Sequence, residues 1–253
     1  MGAITLDRVS SNLKRLKLNF LSQIIPEKLK QFEKDSRSFL QQFDELLEEE
    51  VNFKEQRRVE TTIRTSGLPF AKSIDEYDFT FHPAVDQRKV MSLFDLVFIQ
   101  RKENVIFLGP PGVGKTHLAV ALSLKACQAG MSIYFTTMSD LIEKLKIDKQ
   151  KERVGRGRSY FKSSLVIVDE VGYTPVNREE CHLFFQFISY RYERSSTIIT
   201  SNKAFNEWQE LFEDPVIVTA ILDRLLHHSV IINIKGHSYR LKDKLALCKT
   251  ENK

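Results

Sequence analysis

The octapeptide GPPGVGKT, residues 109–116, constrains this chain more than any other stretch. It follows the apolar run NVIFL (104–108) and leads into HLAVALSLKACQAG, which has helical character. A Gly-x-x-x-x-Gly-Lys-Thr pattern between a strand and a helix is a phosphate-binding loop. Gly109, Gly112 and Gly114 let the backbone wrap closely, so successive amides and the helix N-terminus can face phosphate oxygens. Lys115 can reach β and γ phosphates, and Thr116 can ligate magnesium. Pro110, Pro111, Val113 and His117 complete the candidate cradle, and the ligands implied are ATP and Mg2+. A chance glycine-rich turn is the competing reading, and the strand-to-helix context weighs against it.

From that loop onward the chain alternates. Apolar runs SIYFTT (132–137), SLVIVDE (164–170), STIITSN (196–202) and VIINI (230–234) are separated by helical segments. Continuous apolar strands between helices predict a parallel sheet covered on both faces. With NVIFL they make five strands, an α/β fold.

SLVIVDE ends in two carboxylates. Asp169 is placed to hold magnesium through its water shell, and Glu170 to polarise an attacking water, which favours hydrolysis over transfer to a bound acceptor. The alternative is a strand that ends in a solvated acidic pair. In STIITSN the terminal Asn202 either orients that water near the γ phosphate or caps the following turn.

ILDRLLHHS (221–229) raises the question of a metal. His227 and His228 are adjacent, so on a helix they diverge by about 100 degrees and do not chelate one ion as an i, i+4 pair would. No further ligand cluster accompanies them. Ile221, Leu222, Leu225 and Leu226 supply a packing face. Arg224 is left with no task inside its own fold, unless it pairs with Asp223 or another carboxylate.

Residues 1–66 read as a small all-α domain, with Phe39, Leu40, Phe43, Leu46, Leu47 and Val51 at helical spacing. Gly67, Pro69 and Pro83 then break the pattern, so 67–83 is expected as a linker lying on the domain 84–253. Cys127, Cys181 and Cys248 show no ligand spacing and no disulfide framework. No apolar run is long enough to cross a bilayer, and the N-terminus lacks a signal-peptide core. A cytoplasmic protein with no membrane partner is expected. Its net charge of +5 favours an acidic partner only if the cations cluster. They do cluster in LIEKLKIDKQKERVGRGRSYFK, with Lys144, Lys146, Lys149, Lys151, Arg153, Arg156 and Arg158. Such a segment either neutralises nucleic-acid phosphates without reading bases or is a solvated charged face.

GPPGVGKT, then VDE, then TSN, then an arginine after the next helix together resemble the AAA+ ATPases. More narrowly, FLGPPGVGKTHLA, VDEVGYTPVNREECHLFFQFISYRYERSSTIITSN, DPVIVTAILDRLLHHS and INIKGHSYRLKD resemble the IstB-type ATPases of insertion sequences, from about Tyr77 to Asp243. The helical front end resembles that family more loosely.

This resemblance implies a bacterial AAA+ P-loop NTPase that assembles on double-stranded DNA with ATP, largely without sequence preference. It would self-associate as a ring or helix, contact its cognate transposase, and promote target selection and strand transfer. The resemblance places Arg224 as a finger reaching a neighbouring subunit's γ phosphate, and puts the basic segment on a DNA path. Only about twenty residues follow VIINI, a truncated form of the usual C-terminal helical lid, and Arg240 in GHSYR matches the position of a second sensor. A surface arginine is the competing reading. The N-terminal domain would serve oligomerisation, transposase or DNA contact. A replicative helicase loader of the DnaC type shares the same chemistry with a different partner. A DNA scaffold with slow hydrolysis fits less well with Glu170, and a P-loop kinase lacks an acceptor-pocket signature.

Overall fold

The computed structural model describes residues 5–152 and 158–241. The chain divides into two compact units, Met1–Thr61 and Thr62–Lys253.

The first unit holds α1 (Leu6–Arg15), α2 (Asn19–Phe32) and most of α3 (Phe39–Thr65), which runs through the division. Its core is small: Leu21, Ile25 and Leu46, flanked by Leu13, Leu18, Ile24 and Phe32. Leu18 offers no side-chain cap to α2. The buried Glu50 on α3 takes over that task, its Oε2 accepting from the Leu21 N–H at 2.7 Å. A carboxylate at a helix N-terminus also meets the positive end of the helix dipole. Of the apolar stripe expected on α3 only Leu46 is buried; Phe39, Leu40, Phe43, Leu47 and Val51 are exposed.

The second unit continues with α4 (Gln87–Ser92), α5 (Val97–Gln100), β1 (Asn104–Leu108) and α6 (Lys115–Gln128). Then come β2 (Ile133–Thr137), α7 (Met138–Gln150), α8 (Ser159–Lys162), β3 (Leu165–Val171) and α9 (Arg178–Arg191). It closes with β4 (Ser196–Ser201), α10 (Trp208–Leu211), α11 (Pro215–His227) and β5 (Ser229–Asn233). The five strands form one parallel sheet in the order β2-β3-β4-β1-β5. Every strand expected from the sequence is present, and the α/β fold is as expected.

The reason the apolar runs are unbroken is visible in β1. All five of its residues are buried. Val105 and Phe107 enter one core with Leu118, Leu122 and Ile198, while Ile106 and Leu108 enter the other with Leu141, Phe184 and Leu225. A strand covered on both faces has no polar side to show. Local capping fixes where the covering helices begin. Thr137 accepts from the Asp140 N–H at the start of α7, Asn177 and Glu180 form a capping box on α9, and Asp214 with Pro215 opens α11.

Arg191 at the end of α9 is 2% exposed. Its guanidinium donates to the carbonyls of Tyr160, Phe161, Ser163 and Ser196, tying the ends of α8 and α9 to the starts of β3 and β4. Burial lowers its pKa to about 9, which still leaves it charged at neutral pH. Residues 67–83 pack on this sheet unit: Tyr77 joins the core, and Leu68, Ile74 and Phe79 lie against it. Among the described residues, no helix is long and apolar enough to cross a membrane.

Candidate nucleotide-binding site

The phosphate loop joins β1 to α6 at the carboxyl end of the sheet, where parallel α/β folds bind ligands. Gly114, the residue before α6, has φ +91 and gives the helix no side-chain cap, so the first amides of α6 are open to an anion. Gly112 has φ +81, and a Cβ there would lie 2.0 Å from Ser238 Oγ. That close approach continues in the backbone, where the Tyr239 N–H donates to Gly112 O at 2.8 Å. The chain after β5 is thereby laid along the loop, which brings Arg240 to the cavity.

That cavity measures about 440 Å³. Pro111, Gly112, Val113, Gly114, Lys115, Thr116 and His117 line it together with Glu170, Thr200 and Arg240. Lys115 Nζ is folded back on the loop, donating to the carbonyls of Gly109 at 2.7 Å and Pro110 at 2.8 Å. Burial lowers the Lys115 pKa and Arg240 adds to the effect, while Asp169 and Glu170 oppose it. Two cations therefore face a single cavity, an arrangement suited to a polyphosphate.

The hydroxyl of Thr116 donates to both oxygens of Asp169, at 3.0 and 3.1 Å. Hard oxygen donors so paired fit Mg2+, which takes few protein ligands and keeps several waters. Thr200 on β4 donates to the same carboxylate and accepts from the Glu170 N–H at 3.1 Å. Glu170 itself stands in the left-handed region at φ +61. The register of β3 against β4 shifts between Val168 and Val171, a local irregularity that turns Glu170 out of the ladder and leaves its side chain exposed at the cavity. A non-glycine residue there costs on the order of 1 kcal/mol or more.

The sequence did not announce the rest of the lining. Phe70, Tyr77 and His82 come from the segment expected as a linker, Tyr173 from the turn after β3 and Tyr239 from a single 3-10 turn after β5. Tyr77 donates to Val113 O at 3.3 Å, and burial pushes its pKa up to about 12. His117 Nε2 lies 2.9 Å from Ser73 O and packs edge-on to Tyr77. The available signal was the run of aromatics between charges in 70–81.

Of the expected nucleotide-site residues, Gly109, Pro110, Asp169, Asn202 and Arg224 are not part of the cavity lining. Asn202 follows β4 with a buried Oδ1 that has no partner among the described residues. It does not cap the turn; Ser201 Oγ accepts from the Lys203 N–H there instead. Arg224 on α11 donates to Ala220 O at 3.0 Å and lies over the Phe185 ring at 4.8 Å. Among the described residues it makes no ion pair, with Asp223 or otherwise. It borders a crevice with Lys102 and Asn104, at the opposite end of β1 from the phosphate loop. The expected divergence of His227 and His228 is overturned. The helix ends at His227, His228 takes φ −127 and ψ 86, and the two rings lie 4.0 Å apart. The carboxylate of Glu193 stands beside them.

The basic segment is less free than its composition suggests. Lys146 pairs with Glu180 at 2.6 Å and Lys149 with Glu179 at 2.8 Å, both across to α9. Lys144 lies over Tyr134 at 5.4 Å. Arg158 pairs at 2.6 Å with Asp148, whose carboxylate is buried and also accepts from Tyr160. Removing such a partner strands a buried charge, so Arg158 has a structural task here. Lys151 is exposed, and Arg153 and Arg156 lie outside the described residues.

Comparison with known proteins agrees with this geometry. The model of the family described as IstB-like ATP binding protein matches residues 11–246. A Pseudomonas aeruginosa protein named for ATP binding in insertion sequence IS21 is 46% identical over 233 residues, covering 92% of this chain and 88% of the relative. A Geobacillus stearothermophilus counterpart from IS5376 is 47% identical over 200 residues, covering 79% and 80%. Among solved structures, DnaI shares the fold with a TM-score of 0.53 at 20% identity, covering 64% of this chain and 90% of DnaI.

Proposed function

The chain belongs to the family of IstB-like ATP-binding proteins, and from that premise we propose that it is an ATP-hydrolysing, DNA-binding helper of a transposase. One observation carries the enzymatic part: Lys115 and Arg240 face one cavity beside the Thr116–Asp169 pair and the exposed Glu170. Lys115 leaves the loop carbonyls for the β and γ phosphates, and Arg240 neutralises phosphate charge from the segment laid along the loop. Thr116 and Asp169 would hold Mg2+, which would screen the phosphate charge. Glu170 orients and polarises the attacking water, and Asn202 with its open Oδ1 assists from the end of β4. Phe70, Tyr77 and His117 form the aromatic side against which a base stacks.

The site is shared. Arg224 stands at the far end of β1 from its own phosphate loop, on the order of 15 Å along a five-residue strand. It therefore serves a neighbouring copy, and the protein works as an oligomer on double-stranded DNA, with hydrolysis coupled to its assembly and release. Lys144, Lys146, Lys149, Lys151, Arg153 and Arg156 supply phosphate contacts without base reading.

The decisive experiment is Glu170→Gln. This variant should bind ATP as the wild type does, lose turnover by about 10²- to 10⁴-fold, and remain on DNA as a stable oligomer while the wild type dissociates. Wild-type turnover in Glu170→Gln would remove the water-activating role. Stimulation of strand transfer by the transposase of the same element, present with wild type and absent with Lys115→Ala, tests the helper role.

A further inference from the structure

At the end of α11, beyond anything the nucleotide site uses, three exposed side chains converge. One ligand atom each from Glu193, His227 and His228 lie within 4.8 Å of one another. We propose that these residues form a binding site for a divalent transition-metal ion of the zinc class, which ties the C-terminal ends of α9 and α11 together.

Two imidazoles and one carboxylate are a donor set that zinc accepts with a fourth, open position for water. Zinc bonds of about 2.0–2.1 Å place tetrahedral ligand atoms roughly 3.4 Å apart. The present spacing is slightly open, and exposed side chains close that difference by rotation about their own bonds.

Local contacts hold the three residues in this grouping. Glu193 follows α9 in the left-handed region, φ +56, where a chain usually places glycine. His228 is fixed through its carbonyl, which accepts from the Asn104 N–H at 2.8 Å as the chain enters β5. His227 is fixed through its ring, Nδ1 lying 2.8 Å from the Tyr192 hydroxyl.

That last contact holds the imidazole in place: with its proton on Nδ1 donated to the phenol oxygen, His227 has the Nε2 lone pair for an ion. A metal-bound histidine commonly has its second nitrogen held in this way. The ion would sit beside Arg224, which borders the same crevice as Glu193 and His228.

The test is calorimetric titration of the full chain with Zn2+ in excess Mg2+, so that the nucleotide site's metal preference does not contribute. Wild type should bind one Zn2+ per chain at micromolar concentration and show a higher Tm with the ion. His227→Ala, His228→Ala and Glu193→Gln should each weaken binding at least about 10-fold and abolish the Tm rise, with ATP binding unchanged. Tyr192→Phe should weaken binding by a smaller factor, as loss of a second hydrogen-bonding layer does. His182→Ala, an exposed histidine on α9, should bind as wild type does. Absence of binding at 100-fold higher Zn2+ (about 100 µM), unchanged affinity in the His227→Ala and His228→Ala variants, or equal loss in His182→Ala would each overturn the site.

Discussion

Thr200 is the residue that ties together the carboxylates of the proposed site, Asp169 and Glu170, although it is an uncharged side chain in the middle of an apolar run. It is 1% exposed, donates to Asp169 and accepts from the backbone of Glu170. Valine has nearly the same shape, so Thr200→Val removes the hydroxyl and little else. We expect kcat to fall roughly 10- to 100-fold, because reacting groups displaced by an ångström lose about that much, with ATP affinity little changed. Unfolding should cost about 1–3 kcal/mol less, from the partners left unsatisfied. Steady-state kinetics and thermal unfolding measure both, and an unaltered kcat would show that Asp169 and Glu170 are positioned without it. The contrast between Lys115 and Thr200 explains what was legible. Lys115, Thr116, Asp169 and Glu170 announce themselves because their chemistry fixes both residue type and local spacing. Thr200, Tyr77, His82 and Tyr239 reach the cavity only through tertiary folding, and no local pattern records that.

At the scale of elements, strand positions were readable and charged helix faces were not. β1, β3 and β4 are buried on both sides, so each leaves an unbroken apolar run. On α7 the composition shows lysines, but their pairing depends on which face of α9 lies opposite. Lys146 and Lys149 meet Glu180 and Glu179 there. Exposed pairs of this kind contribute little to stability, yet they compete with phosphates for the same ammonium groups. The double variant Glu179→Gln, Glu180→Gln keeps the side-chain shapes. It also keeps the cap on α9, through the amide oxygen that replaces the Glu180 carboxylate. It should bind double-stranded DNA more tightly, and its log K against log salt slope should steepen by up to about 0.9 for each lysine released. Binding titrations at several salt concentrations give the slope. Identical affinity and slope would mean that this face of α7 does not meet the DNA backbone.

At the scale of the whole molecule, the sheet unit holds the phosphate loop and Arg224 at opposite ends of β1. The phosphate loop lies after β1, whereas Asn104 at the start of β1 donates to Leu225 O, the residue next to Arg224. The five residues of β1 therefore stand between that arginine and the phosphate loop. Its guanidinium is held by Ala220 O and the Phe185 ring and is paired with no carboxylate among the described residues, so it has little to lose by reaching another chain. This geometry makes an asymmetric prediction. Arg224→Ala should bind ATP normally and lose DNA-stimulated hydrolysis by about 10³-fold or more, the scale of an arginine finger. Lys115→Ala should lose hydrolysis through its own defective loop while keeping an intact Arg224. Mixed in equal amounts on DNA, the two inactive proteins form some interfaces that join an intact loop to an intact arginine. Hydrolysis should therefore return to a substantial fraction of the wild-type rate, rising and falling with the mixing ratio. An inactive mixture, in which crosslinking shows that mixed oligomers have formed, would place the role of Arg224 within its own chain.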